Sequence, residues 1–287
     1  MISIADLPLN TRGAVFHLDL LPEEIADVII TVGDPSRIMQ VSKHFDSIEV
    51  KRSHREFVTH TGYIGKQRLT VLSTGIGVPP IDIVMTELDA LVNVDLQARI
   101  PKAETRSLTI IRLGTTGTLQ AERQLGDVLI SRFAIGFDNL MEYYRAVHLK
   151  NLDDLRENLT KHLAGESSSF YLSEADSSLL QHFAPLGTVG ITATCDGFYG
   201  PQGRNVRVPL RYPNLLERLI SFRFLNLNVI NFEMETAGIL GMGQLMGHRC
   251  ISLSAAIANR IHKTFVTDFQ KSVEELIVKS LPVICTL

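Results

Sequence analysis

The sequence predicts a single α/β domain built on a mixed, mainly parallel β-sheet with helices covering its faces. Three observations support this prediction: short apolar runs rich in β-branched residues, glycine-containing turns directly after several of them, and apolar positions at helical spacing further on. Such alternation along a whole chain is typical of α/β proteins. The 287 residues, 45% of them hydrophobic, suffice for one sizeable core.

The elements can be placed in order along the chain. The first strand is predicted at 26–32, where ADVIITV runs into the turn GDPS. The second, at 69–73, runs into TGIGVPP, after which Val84, Leu88 and Leu91 recur at helical spacing. The later elements are strands at 108–113, 186–192, 228–232 and 249–258 and a terminal helix at 268–279. Residues 1–14 are interpreted as an N-terminal extension, and the polar stretches 93–106 and 151–178 as surface insertions.

Charge and cysteine content exclude several classes of partner. A net charge of −3 gives no field for nucleic acid or an anionic membrane, so any bound phosphate needs a local site. The three cysteines lack metal-type spacing and fit a reducing compartment. No apolar run approaches the length of a membrane span. We therefore expect a cytoplasmic protein with a small-molecule ligand and no metal.

Polar residues follow several predicted strands, where α/β sheets bind their ligands. Arg37 follows the Gly33 turn, the amides of 75–77 follow the second strand, and Thr115 lies in a third predicted glycine turn, 114–117, beside Arg112. Backbone amides and arginines suit an oxyanion. Arg112 lies inside an apolar strand, where an unpaired cation is costly, so it should meet an anion or carbonyl groups. The glycine spacing matches neither a dinucleotide fingerprint nor a P-loop.

A second group of residues suits a nucleobase. Phe198 offers a stacking face, Gln202 can donate and accept hydrogen bonds, and Arg204 donates in a fixed fork. This combination matches a pyrimidine edge, in which an N–H lies between two carbonyls. An ordinary surface loop remains the alternative.

Seven ordered motifs carry a resemblance to a known family: VGDPSR, SHREF, STGIG, IRLGTTG, GFYGPQGR, NFEMET and IANR. In this order they resemble the nucleoside phosphorylases of the uridine phosphorylase type, over nearly the whole chain. The resemblance implies the nucleoside phosphorylase fold and the cleavage of uridine by inorganic phosphate to uracil and ribose 1-phosphate. It also implies a homo-oligomer, a dimer with shared sites or a hexamer, and no cofactor.

The resemblance assigns roles to residues that match the family motifs. The phosphate ligands would be Gly33, Arg37, Arg112, Thr115 and, from a neighbouring subunit, Arg55. The ribose ligands would be Glu233, Met234, Glu235 and, from the partner chain, His17, which would reach the 5′-hydroxyl. The base would be held by Phe198, Gln202, Arg204, Ile257 and Arg260. Among these, the catalytic residues would be Arg112, Glu235 and Arg204.

Several alternatives stay open. Taken alone, His17 is interpreted as a surface histidine and Arg37 or Arg55 as a surface ion-pair partner, whereas Glu233 suits a helix-start acid as well as it suits a ligand. Related purine enzymes have an aspartate where this chain has Asn259-Arg260, which favours a pyrimidine. Pro80 replaces a serine that in some relatives helps hold a monovalent cation. The functional alternatives are a phosphorylase for deoxyuridine, thymidine or purine nucleosides, and a nucleoside-binding sensor without turnover.

Overall fold

The structure is a computed structural model that describes residues 1–145, 152–167 and 169–287. The helices in these ranges are α1 Arg37–Ser42, α2 Val78–Asn93, α3 Asp153–Leu163, α4 Ser177–Phe183, α5 Leu215–Ser221, α6 Thr236–Met246 and α7 Gln270–Ile284. The strands are β1 Val28–Val32, β2 Ser47–His54, β3 Phe57–Ile64, β4 Gln67–Ser73, β5 Val94–Asp95, β6 Ile100–Pro101, β7 Thr109–Thr118, β8 Val128–Gly136, β9 Tyr171–Glu174, β10 Thr188–Thr194, β11 Arg223–Phe224, β12 Leu227–Glu233, β13 Arg249–Asn259 and β14 Thr264–Phe265. Within the described ranges, no helix is long and apolar enough to span a bilayer.

One large sheet organises the domain. Its strands lie in the order β11-β12-β10-β8-β13-β7-β1-β4-β3-β2, with β9 beside β8 and β14 beside β13. Strands β4, β1, β7 and β13 are mutually parallel, and so are β8, β10 and β12. Helices α2 and α6 pack on each other, and α7 packs on β7 and β13. The α/β class and the mixed sheet are therefore confirmed.

The expectation of a mainly parallel sheet is only partly right. The two parallel groups run in opposite directions, since β13 pairs antiparallel with β8 and β12 pairs antiparallel with the end of β7. The second of these pairings, Asn231 with Thr118 and Phe232 with Gly117, closes β7, β13, β8, β10 and β12 on themselves. The antiparallel strands β2 and β3 extend the open edge beyond β4.

The third predicted glycine turn is absent. Strand β7 does not end at Leu113 but continues through Gly114-Thr115-Thr116-Gly117, because these residues pair with β13 and then with β12. Strand β7 therefore extends past the end of β1. The carboxyl end of β12 consequently meets the second half of β7, beside the carboxyl ends of β1 and β4.

A β-bulge interrupts the other long strand at the same level. In the pairing of β13 with β7, Ala256 lies opposite Thr116 and Ala258 opposite Gly117, so Ile257 is the extra residue. A bulge redirects the side chain of the extra residue and bends its strand. Ile257 is only half-buried, although the residues on both sides of it are buried.

The stretches interpreted as insertions contain regular structure. Residues 93–106 include the two-stranded hairpin of β5 and β6. Residues 151–178 include α3 and β9, and β9 pairs with β8 in the main sheet; positions 151 and 168 lie outside the described residues. Residues 1–14 include Leu9, which forms a bridge with Val15. Their status as an extension and insertions stays a prediction.

Candidate active site

A cavity of about 710 Å³ lies where the ends of β1, β4, β10 and β12 meet the second halves of β7 and β13. All but three of the site residues predicted from the sequence line it. Those that line it are Gly33, Arg37, Arg112, Thr115, Phe198, Gln202, Arg204, Glu233, Met234, Glu235 and Ile257. The fold thus brings together residues that are more than 200 positions apart in the sequence.

A buried ion cluster forms the floor of this cavity. Arg112 Nη2 lies 2.5 Å from Glu235 Oε2 and 3.1 Å from Glu233 Oε2. Arg112 Nη1 donates to Ser254 Oγ at 3.0 Å. Burial works against the charge of Arg112, but the two carboxylates more than offset it and raise its pKa. Arg112, which the sequence placed inside an apolar strand and which therefore needs a partner, is paired with two carboxylates.

Gly114 is required by the path of the Arg112 side chain. A Cβ atom on Gly114 would lie 1.9 Å from Arg112 Nη1, far inside van der Waals contact. The guanidinium therefore lies directly over the backbone of residue 114, where only a hydrogen fits. The first glycine of GTTG serves this close approach instead of a turn.

Glu233 is held by protein groups on both of its oxygens. Oε1 accepts a short hydrogen bond from Thr194 Oγ1, and Oε2 accepts the backbone N–H groups of Glu235 and Thr236, each at 2.9 Å. These two N–H groups belong to the start of α6, where a carboxylate is favourable. Both oxygens of Glu233 are therefore engaged by protein groups, and its contact with a ribose stays a prediction.

Glu235 is the second carboxylate of the floor. It is 6% exposed, and its Oε1 accepts the backbone N–H of Gly77 at 2.7 Å. Gly77 has φ +91°, a backbone conformation that favours glycine, and it precedes the first residue of α2. Burial raises the pKa of Glu235, and Arg112 only partly counters this. The Glu235 carboxylate is therefore held by Gly77, in the turn after β4, and by Arg112 of β7.

Arg37 is a buried cation without a carboxylate partner. It is 9% exposed, and Nη2 donates to Thr115 Oγ1 at 3.3 Å. In the described part of the chain, no carboxylate oxygen lies within ion-pair distance of it. Burial, followed by repulsion from Arg112, lowers its pKa. Arg37 therefore supplies a positive charge that no described carboxylate balances by ion pairing, and with the Arg112 guanidinium and the Thr115 hydroxyl it offers hydrogen-bond donors to an anion.

The opposite end of the cavity holds the aromatic and amide groups of the loop after β10. Arg204 Nη1 donates to Gln202 Oε1 at 2.7 Å, and its guanidinium carbon lies 3.7 Å from the centroid of the Phe198 ring. Gln202 is buried, whereas Phe198 is 46% exposed. Burial, followed by repulsion from Arg260, lowers the pKa of Arg204 to about 10. These residues form a compact set of hydrogen-bonding groups beside an aromatic ring.

Arg260, Arg55 and His17 do not line this cavity. Arg260 Nη1 is buried without a hydrogen-bond partner among the described residues, and its aliphatic part packs against Gly117. Arg55 is exposed and has φ +54°, in the turn between β2 and β3. His17 lies against Glu87 of α2 instead. A single copy of the chain does not bring Arg55 and His17 to the ligand cavity.

Sequence reasoning missed several residues that complete the site. Ser252 and Ser254 of β13 face Arg112, and their alternation in an apolar strand was the available signal. Thr194, which donates to Glu233, ends β10 two residues beyond the predicted strand 186–192, and no distinguishing pattern marks it. Phe265 reaches the cavity from the β14 hairpin. Its position depends on the fold of that hairpin, which the local sequence does not reveal.

Comparison with known proteins identifies the family. The family model described as the phosphorylase superfamily matches residues 27–284. The chain belongs to the phosphorylase superfamily. A uridine phosphorylase of Thermococcus kodakarensis is 31% identical over 264 residues, which cover 91% of this chain and 83% of that protein. A uridine phosphorylase of Haemophilus influenzae is 29% identical over 254 residues, 86% of this chain and 87% of that protein.

A solved structure extends the similarity to three dimensions. The nucleoside phosphorylase of Trypanosoma brucei, whose crystal structure shows uridine phosphorylase activity, matches with a TM-score of 0.89 and 29% identity. The match covers 98% of this chain and 99% of the other.

Among the described residues, no group of three or more His, Cys, Asp or Glu side chains is arranged to hold a metal ion.

Proposed function

We propose that this chain is a uridine phosphorylase, a pentosyltransferase that cleaves uridine with inorganic phosphate to uracil and ribose 1-phosphate. The observation that carries the proposal is the division of one cavity into two ends. Arg37, which has no carboxylate partner among the described residues, lies near Arg112 at one end, and the Gln202–Arg204 pair lies beside Phe198 at the other. The uridine phosphorylases that resemble the chain over most of its length support the same reaction.

The anion end suits phosphate. Arg37, Arg112 and Thr115 can donate hydrogen bonds to its oxygens, and Gly33 lets backbone approach it from β1. Phosphate fixed here as an anion would stabilise positive charge that develops at the anomeric carbon, and would then bond to that carbon. Holding the nucleophile against the sugar converts a bimolecular step into an effectively unimolecular one.

Glu235 lies between the two ends and suits the ribose. Its carboxylate is fixed by Arg112 and Gly77, so it can accept sugar hydroxyls without reorganising. Met234 offers an apolar side chain beside it. Glu233 would act indirectly, because it accepts the backbone N–H of Glu235 and so holds that residue in place.

The base end suits uracil as a leaving group. Gln202 can pair with the N–H and one carbonyl of the pyrimidine, and Arg204 can donate to the other carbonyl. Donation to these oxygens offsets the negative charge that accumulates as the glycosidic bond breaks. Phe198 and Ile257 would contact the ring, and Arg260, close to Arg204, has a buried N–H group without a hydrogen-bond partner among the described residues.

We also propose a site shared between two copies of this chain. Arg55 and His17 lie outside the cavity of their own chain, as residues donated to a partner would. The reaction needs phosphate as co-substrate and no further cofactor.

The proposed reaction belongs to pyrimidine nucleoside salvage. The three free cysteines fit a reducing compartment, which supports a cytoplasmic location.

A substrate panel tests the base assignment. Release of the base is measured with uridine, deoxyuridine, thymidine and inosine in phosphate buffer, for the wild type and for Arg204→Ala. Uridine should be preferred, and the substitution should lower its kcat/KM by roughly 10²–10³. Arg207→Ala removes an exposed arginine three residues away and should leave the rate unchanged. Preference for inosine, or equal loss in both variants, would contradict the assignment.

A further inference from the structure

One buried carboxylate anchors the loop that carries His17. Glu87 lies on α2 and is 4% exposed. It accepts the backbone N–H of His17 at 3.0 Å and that of Leu18 at 2.8 Å. The same carboxylate lies 2.7 Å from Nδ1 of the His17 ring. All the hydrogen bonds that the described residues make to Glu87 come from this loop.

The rest of the loop is equally well held. Leu18 and Leu20 are fully buried, and Val15 bonds to Leu20 across the turn at 3.1 Å. Asp19 closes the turn with φ +52°, and Arg12 bonds to its carboxylate at 2.8 Å. The backbone contacts alone therefore fix the loop. The additional contact to Nδ1 fixes the ring itself.

The contact to Glu87 also decides which ring nitrogen is available. A carboxylate can only accept at neutral pH, so Nδ1 carries the proton and Nε2 is left free. No described residue makes a hydrogen bond to Nε2, and the His17 side chain stays 28% exposed. Phe16 packs edge-on against the ring, with centroids 5.2 Å apart. A partly exposed imidazole is thus held in one orientation and one tautomer.

We propose that Glu87 is a positioning residue, which holds His17 so that Nε2 meets the 5′-hydroxyl of a nucleoside bound to a second copy of this chain. This inference rests on the proposed function. Glu87 itself touches no substrate. Loss of the contact frees the imidazole to rotate and to exchange its proton between the two nitrogens, which weakens the contact with the hydroxyl.

The test compares two substrates that differ only in the group concerned. Uridine carries the 5′-hydroxyl and 5′-deoxyuridine lacks it. Glu87→Gln should lower kcat/KM for uridine by about 3- to 10-fold, the scale of one neutral hydrogen bond, with little effect on 5′-deoxyuridine. In a His17→Ala background, the same substitution should cause no further loss. Glu87→Asp keeps the charge and provides a second variant if the glutamine variant unfolds.

Asp89→Asn serves as the matched control. Asp89 lies on the same helix and accepts a hydrogen bond from Asn93 at 2.6 Å, without contact to His17. It should leave the ratio of the two substrates unchanged. Equal losses on both substrates in the Glu87 variants, or additive losses with His17→Ala, would overturn the positioning role. Failure of the proposed function is distinguishable, because the wild type itself would then release no uracil from uridine in a phosphate-dependent way.

Discussion

Replacing Arg37 with methionine separates ligand binding from stability in a way that few substitutions at a buried charge do. Arg37 has one long hydrogen bond, to the Thr115 hydroxyl, a guanidinium carbon 5.9 Å from the centroid of the Phe269 ring, and no ion pair among the described residues. Arg112, a short distance away, pairs with both Glu233 and Glu235. If Arg37 serves to hold phosphate, its loss should impair phosphate binding and leave the folded state intact.

The expected magnitudes follow from these contacts. Hydrogen bonds to a charged ligand contribute about 1.5–3 kcal/mol, so Arg37→Met should weaken phosphate binding roughly 10- to 100-fold. The lost contact to Thr115 costs at most about 1 kcal/mol of stability, and removal of an unpaired buried cation offsets it. Arg112→Met instead leaves two buried carboxylates without their cation, at a cost of about 3–5 kcal/mol.

Thermal unfolding in a phosphate titration measures both quantities at once. A ligand that binds only the folded state raises Tm in proportion to the logarithm of its concentration above Kd. Wild type and Arg37→Met should have similar Tm values without phosphate, and only the wild type should gain stability at low phosphate. Arg112→Met should unfold at a clearly lower temperature. An Arg37 variant that loses as much stability as the Arg112 variant, or that keeps its phosphate response, would refute the reasoning.

Three further predictions concern the floor of the cavity. Gly114→Ala places a methyl group against Arg112, so the free energy of unfolding should fall by about 1–3 kcal/mol and the KM for phosphate should rise. An unchanged KM would contradict the contact. Thr194→Val removes the donor to Glu233 and should cost about 1–3 kcal/mol in urea unfolding, more than a conservative change at an exposed threonine. Because burial raises the pKa of Glu235, its carboxylate becomes protonated at a higher pH than that of an ordinary glutamate. The affinity for uridine, measured by calorimetry, should therefore fall with decreasing pH, and the pH midpoint of this fall should lie above the usual pKa range of glutamate. Glu235→Gln should abolish the pH dependence. A pH midpoint at or below the usual glutamate range would contradict the prediction.

The apolar strands were the most predictable part of the fold. The runs at 26–32 and 69–73 correspond to β1 and β4, and 249–258 corresponds to β13, because continuous β-branched runs have few alternatives to a buried strand. Strands β2, β3 and β8 were not predicted, although β8 is almost wholly buried. In β2 the residues alternate between exposed and half-buried positions, and the charged sequence gives no apolar signal.

The closure of the sheet could not be read from local sequence. It depends on the pairing of β12 with β7, over a separation of more than 100 residues. The glycines of GTTG indicated a turn, whereas Gly114 is needed for the close approach of Arg112. The bulge at Ile257 arises from the register between two strands, which leaves no mark in the sequence of either one.

Most of the candidate site was nevertheless predictable, because its residues follow buried strands whose ends converge. Arg37 could be named, but its lack of a carboxylate partner required the structure. Glu233 and Glu235 both line the cavity, and their positions in the sequence alone do not separate them. In the structure, Glu233 accepts the backbone N–H groups of Glu235 and Thr236, whereas Glu235 accepts that of Gly77.

The most direct test of the central claim is the dependence of uridine cleavage on phosphate, with both products measured. Purified protein freed of phosphate is incubated with uridine, and uracil and ribose 1-phosphate are quantified as phosphate is added. We expect no cleavage without phosphate, and equal amounts of the two products, matched by phosphate consumed, when it is present. Uracil release without phosphate, with free ribose as the second product, would show hydrolysis and contradict the account.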